Sequence, residues 1–217
     1  MGNYRPILPN EVTVSLRNIK RIFADKRVFV LGYGSLLYPE GWGRRNMKAT
    51  VSAKDLIECR ADGFKRGPFG LCHGIHFYGA IHDDDCRING VLVEIQSWKD
   101  WAELMATELI AGMFLDYNYR VCDVTHNVND VILPRNAAVH MVCNEPENEK
   151  ESYYNWPCPN YYESVARGVE RSRSKEFRKE FHATGGYTLK QALSLSQRTS
   201  RLSYYYNPDE FNKSIKE

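Results

Sequence analysis

The chain predicts an α+β fold: a mixed, mostly antiparallel sheet curled into a small barrel, with flanking helices. Three observations carry this expectation. Strand-like runs cluster in the middle of the chain and do not alternate regularly with helices, which argues against a doubly wound parallel sheet. Helical periodicity is confined to the N-terminal stretch, one central segment and the last third. An apolar, β-branched run at Val28–Leu31 ends abruptly in Gly32-Tyr33-Gly34-Ser35-Leu36, which reads as a strand delivering a tight loop.

Taken in order, residues 1–26 read as a helical extension, because Val12, Leu16, Ile19 and Phe23 recur at helical spacing. Residues 28–33 are the first strand. Residues 34–54 contain Pro39, Gly41 and Gly43 and read as irregular. Asp55–Phe64, Leu71–Ile81 and Gly90–Ile95 are strand candidates, with a hairpin turn expected at Asp83-Asp84-Asp85. The period changes at 97–111 to a helix, with Ser97 and Asp100 forming a capping-box-like start. Asn118–Thr125 and Ala137–Cys143 return to strands. Asn160 with Glu163 signals the N-cap of a helix whose stripe is Tyr162, Val165, Ala166 and Val169. Phe177 and Phe181 predict a short helix over Ser174–His182, and Thr188 with Gln191 starts another. The expected organisation is an N-terminal extension (1–26), a central domain (27–185) and a C-terminal helix and tail (186–217).

Composition bounds the function. The chain has 217 residues, a formal net charge of +2, 43% hydrophobic and 26% charged residues. Such a balance gives no electrostatic case for nucleic acid or a membrane surface. No run approaches the ~18 apolar residues that span a bilayer, and the start lacks the apolar core of a signal peptide. Six scattered cysteines without a Cys-x-x-Cys pair do not form a disulfide framework. The cytoplasm is the expected compartment.

Two features point to chemistry. In the first, Gly34 permits a positive φ and close approach of a ligand to the backbone at a strand end. In the second, helix 97–111 carries an apolar stripe of Trp98, Trp101, Leu104 and Met105, with Lys99, Asp100 and Glu103 opposite. Glu108 stands at i+3 from Met105, i+4 from Leu104 and i+7 from Trp101, so it shares that stripe. A carboxylate placed among apolar side chains has its charged form disfavoured, the tuning that general acid/base work near neutrality requires. The bland alternative is a Glu at the helix end that turns to solvent or pairs with an Arg.

Other constellations are weaker. His73 and His76 project to opposite faces of a strand, which separates them as metal ligands alongside Cys72, His82 and Cys86. Asp83-Asp84-Asp85 lacks the Gly and distal Glu of a calcium loop. Ser35 lacks the Gly-x-Ser-x-Gly context of a hydrolase nucleophile, and Cys158 sits between prolines with no evident base. The basic run Arg167, Arg171, Arg173, Lys175, Arg178 and Lys179 is interleaved with acids and reads as a solvated helical face.

The ordered set of motifs resembles the γ-glutamylcyclotransferase-like family over roughly residues 28–182. The matching elements are Tyr33-Gly34-Ser35-Leu36, Gly-Phe-Lys-Arg at 63–66 and Gly-Val-Leu-Val-Glu-Ile at 90–95. Glu108 stands at the place of the family's glutamate, and Pro157-Cys158-Pro159-Asn160-Tyr161 is followed by a helical Gly168. The chain departs from the family at Leu109, at Leu104-Met105 and at Cys158, where Gly, Leu-Asp and Ser are usual. The resemblance implies a γ-glutamyl cyclotransferase fold and release of a γ-glutamyl group as 5-oxoproline. The substrate's own α-amine attacks its γ-carbonyl, so no protein nucleophile, metal or cofactor is required. It implies Glu108 as the proton-transfer residue, and a site for a small γ-glutamyl molecule built from Tyr33, Gly34, Ser35 and Leu36, with Tyr119 and Tyr153 flanking. Backbone N–H groups of the loop would serve the substrate carboxylate or the developing oxyanion, and removing one such oxyanion donor costs on the order of 2.7–4 kcal/mol. Because fold does not fix function, the alternative is a non-catalytic small-molecule-binding or interaction protein on the same fold. A retained Glu108 separates the two.

Overall fold

The structure, a computed structural model, describes residues 16–43, 50–72, 75–113, 119–144, 156–157 and 159–195. Helix α1 (Leu16–Asp25) leads into β1 (Arg27–Gly32). A 3-10 turn over Ser35–Leu37, the short helix α2 (Pro39–Gly43) and a second 3-10 turn over Ala53–Asp55 follow. Two long strands, β2 (Ile57–Cys72) and β3 (Ile75–Ile95), precede α3 (Trp98–Met113). Then come β4 (Tyr119–Asp123), β5 (Val128–Asn129), β6 (Ala137–Asn144) and β7 (Trp156–Pro157). Helices α4 (Pro159–Ser172) and α5 (Lys175–Ala183) follow, and 189–195 is helical.

The strands form one mixed sheet in the order β4-β6-β1-β3-β2-β5, with β7 on β3. β1 lies within it, antiparallel to β3 (Val30 opposite Val93) and parallel to β6 (Phe29 opposite Val139). The remaining pairings are antiparallel except β3–β7. The sheet curls into a half-barrel with helices packed on it, the expected fold class.

Alternation along β1 divides two cores. Val28 and Val30 face Val93, Trp101, Leu104 and Val165 on the helical side. Phe29 and Leu31 face Leu92, Val139 and Met141 within the curl. A strand buried on both faces needs a continuous apolar run, which explains the lack of polar alternation in Val28–Leu31. Ile19 of α1 and Ala192 join the helical-side core, at 1% and 0% exposure.

The helix signals hold with local corrections. Ser97 Oγ donates to Asp100 Oδ2 at 2.8 Å and accepts from the Asp100 N–H at 3.1 Å. Asp100 is thereby buried, not part of a solvated face. Tyr162, Val165, Ala166 and Val169 are all buried in α4. Asn160 lies inside that helix, which starts at Pro159, and Glu163 binds Arg167 at 2.8 Å. Ser174 caps α5, accepting from the Phe177 N–H at 3.1 Å. Arg173 departs from the solvated reading: it is buried, with Glu58 at 3.8 Å.

The middle of the chain differs more. The three strand candidates merge into two long strands, and Asp83-Asp84-Asp85 is not a hairpin turn but lies within β3. Asp62 pairs with Arg87 and Phe64 with His82, so Gly63 alone faces residues 83–86 across the ladder. This is a bulge, with Gly63 at φ 81° and the Asp85 N–H bonded to Asp83 Oδ1 at 3.2 Å. Segment 34–54, expected to be irregular, contains short helical turns where described. Residues 1–15 of the expected extension and 196–217 of the tail lie outside the described residues.

Candidate functional site

β1 ends at Gly32 and the chain turns through Tyr33 and Gly34 into the Ser35–Leu37 turn. The turn closes with the Leu37 N–H on the Gly34 carbonyl at 3.1 Å. The Trp42 indole N–H holds the Leu36 carbonyl at 2.7 Å, bracing the loop from α2. Tyr33 donates its hydroxyl to the Val142 carbonyl at 2.8 Å, tying the loop to β6. Gly34 does not adopt a positive φ: its φ is −125°. Its role is close approach, since a Cβ there would stand 2.7 Å from Tyr161 Oη.

Glu108 reaches the same place from α3. The helix is fixed below it by Trp101, Leu104 and Met105, each at 1% exposure or less. Tyr33, Gly34, Ser35, Leu36 and Glu108 line one cavity of ≈ 40 Å³, together with Tyr78, Met105, Val142 and Tyr161. Glu108 is half-buried there. Thus the loop and the helical carboxylate, far apart in sequence, meet. Tyr119 opens β4 opposite Asn144, and its side chain is outside those described. Tyr153 and Cys158 also lie outside the described residues.

Two aromatic residues of the cavity escaped assignment from sequence. Tyr78 comes from β3 and Tyr161 from α4, where the Pro-Cys-Pro-Asn-Tyr segment was the available signal. Their rings lie 5.9 Å apart, and Phe77 meets Tyr161 edge-on at 4.9 Å. The Tyr78 hydroxyl accepts the Tyr187 N–H at 2.7 Å, and burial raises its pKa. Arg66, at 2% exposure, lies behind this aromatic wall, with its guanidinium 4.6 Å over the Phe181 ring. Phe181 in turn meets Tyr78 edge-on at 5.9 Å.

A larger cleft of ≈ 460 Å³ lies along β1 and β3, beside Lys54, Asp55 and residues 131–134. Three of its charged residues are held by neighbours. Arg27 binds Glu94 at 2.8 and 2.5 Å, and Asp55 accepts from the Ser52 N–H and hydroxyl. It brings together neither the Tyr33–Leu36 loop nor Glu108, so size does not make it the candidate site. Cys59, Cys122 and Cys143 are buried, reduced thiols, and desolvation pushes Cys59 up to about 12, which keeps it inert. Among the described residues no cluster of His, Cys, Asp or Glu could hold a metal ion. No described helix is long and apolar enough to cross a membrane.

No protein-family model and no curated protein sequence matches the chain. Among solved structures it is similar to YkqA from Bacillus subtilis, with TM-score 0.51 and 17% identity over 77% of this chain and 57% of that one. The chain therefore spans under three-fifths of that protein's length. It also matches a γ-glutamyl cyclotransferase, with TM-score 0.49 and 13% identity over 80% of this chain and 99% of that one. A third match is a γ-glutamyl cyclotransferase specific to glutathione from yeast, with TM-score 0.46 and 13% identity, covering 78% and 97%. At these identities the likeness is one of fold.

Proposed function

We propose that the chain is a γ-glutamyl cyclotransferase-type enzyme that closes a γ-glutamyl amide or peptide to 5-oxoproline. The observation that carries this reading is the meeting of Glu108 with the Tyr33–Leu36 loop on one cavity. The reaction is intramolecular. The α-amine nitrogen bonds to the γ-carbonyl carbon, and the bond from that carbon to the leaving nitrogen breaks. The protein's task is to hold the glutamyl chain bent so that the two atoms are in reach, where effective molarity lowers the barrier.

Glu108 takes the proton shed by the α-ammonium and returns one to the leaving nitrogen, the two proton transfers the ring closure requires. Backbone N–H groups of the Gly34–Leu36 loop face the developing oxyanion. At ≈ 40 Å³ the cavity is far below the roughly 300 Å³ at which small-molecule pockets begin. Substrate entry on this reading moves the Tyr161 ring, whose hydroxyl stands against Gly34.

The test is 5-oxoproline release from a panel of γ-glutamyl amino acids, γ-glutamyl amines and glutathione. At least one compound is turned over by the native chain, and Glu108→Gln loses turnover while remaining folded. A fully active Gln variant, or no release from any compound, overturns the reading in favour of a binding protein on the same fold.

A further inference from the structure

Arg66 is buried at 2% exposure and forms no ion pair among the described residues. One terminal nitrogen, Nη2, donates to the backbone carbonyl of Asn89 and to its Oδ1, the latter at 3.1 Å. The other, Nη1, reaches Thr184 Oγ1 at 3.3 Å. Its Nε–H is buried with no hydrogen-bond partner among the described residues. No described carboxylate pairs with it. Glu180, the carboxylate that acts on its charge, binds Arg60 at 2.6 Å.

A buried charge without an opposite charge is costly, and proteins keep such charges paired or bound to something. Fastening β2 to Asn89 does not by itself need a full positive charge, because a neutral amide donates the same hydrogen bonds. The location of the charge supplies a reason for it. Arg66 stands opposite Ala80 on the β2–β3 ladder, two residues along β3 from Tyr78, which lines the cavity. Its guanidinium packs 4.6 Å over the Phe181 ring, and that ring meets Tyr78 edge-on at 5.9 Å. The charge thus lies directly behind the aromatic wall of the Tyr33–Glu108 cavity, in low dielectric, where it acts at longer range than in water.

We propose that Arg66 is the buried counter-charge for a carboxylate bound in the Tyr33–Glu108 cavity, and so selects ligands carrying a free carboxylate over their neutral amides. The inference rests on the cyclotransferase reading, in which the carboxylate is the α-carboxylate of the glutamyl group. Arg66 is a specificity-determining and positioning residue, separated from the ligand by Tyr78 and Tyr161.

The experiment is calorimetric binding of 5-oxoproline and of its neutral carboxamide to the native chain, Arg66→Gln and Arg66→Lys, with circular dichroism to verify folding. The native chain is expected to bind the carboxylate at least tenfold more tightly, with the same preference at pH 6 and pH 9. Arg66→Gln keeps a donor for Asn89 and binds both within twofold. Arg66→Lys keeps the preference at pH 6 and loses most of it by pH 9, because a buried ammonium gives up its proton where a guanidinium does not. That pH profile decides the matter where the Gln variant fails to fold. A native chain that binds neither probe or binds both equally, an undiminished preference in Arg66→Gln, or a pH-independent preference in Arg66→Lys overturns the inference. A preserved preference without 5-oxoproline release removes the catalytic reading alone. Release without a preference removes this inference alone.

Discussion

Trp101 donates its indole N–H to Nδ1 of His140 at 2.9 Å inside the core. Because Nδ1 accepts, the imidazole is the neutral tautomer with its proton on Nε2, a buried nitrogen with no partner among the described residues. Trp101 lies two turns before Glu108 on α3. His140 lies two residues before Val142, whose carbonyl holds the Tyr33 hydroxyl. One hydrogen bond therefore ties the helix bearing the carboxylate to the strand bearing the loop's anchor.

That pair makes stability acid-sensitive. Burial pushes His140 from the ordinary 6.5 down to about 4. The unfolded chain takes up this proton before the folded one does. The contribution is therefore whole above about pH 6.5 and is lost as pH falls towards 4, by up to about 3 kcal/mol. Urea unfolding between pH 7 and pH 4.5 measures this. His140→Gln, which retains an acceptor for Trp101, should show a flatter pH dependence; an unchanged slope refutes the assignment.

Tyr33→Phe deletes the hydroxyl that reaches Val142 and leaves a buried carbonyl without that donor. The expected loss is about 1–3 kcal/mol of unfolding free energy. A variant as stable as the parent would show that the loop is held by other contacts.

Gly168→Ala places a methyl 2.2 Å from the Tyr38 ring, which is itself 3% exposed. The gain in helix propensity, up to ~1 kcal/mol, is outweighed by overpacking of about 1–3 kcal/mol. The melting temperature should fall. Tyr38 follows the Ser35–Leu37 turn directly, so turnover should fall with it.

Gly34→Ala and Tyr161→Phe should be coupled. The new methyl meets the Tyr161 hydroxyl at 2.7 Å, and removing that hydroxyl clears the contact. A double-mutant cycle on stability is expected to show the Gly34→Ala penalty shrinking by about 0.5 kcal/mol or more when Tyr161→Phe is already present. Strict additivity would mean that the ring moves aside without cost.

The position of Glu108 was legible because helical spacing is local: Trp101, Leu104 and Met105 report which way the stripe faces. The loop was legible because a doubly buried strand has to end where Gly and Ser appear. The bulge at 83–86 was not legible as such. A hairpin turn and a bulge both call for solvent-facing Asp side chains that bond their own backbone. What distinguishes them is Gly63, about twenty residues away on the facing strand. Arg66 was hidden for a related reason. In sequence it is one cation in a Lys-Arg pair, and only the curl of β2 and β3 carries it inward to Asn89 and Phe181. Tyr78 lay in a run whose alternation gives a face but not a depth.

The acceptor for the Tyr33 hydroxyl lies 109 residues further along the chain, and both neighbours of β1 in the sheet, β3 and β6, are made after it. During synthesis the first strand can pair with β3 once residue 95 is made, but its other edge must wait for β6. That edge, flanked by the apolar Val28–Leu31, lacks its partner strand throughout the interval. The long-range closure that finishes the cavity also sets the pace of folding, as high contact order does generally. Nascent chains halted before β6 would be the aggregation-prone species, and chaperone demand should be greatest there.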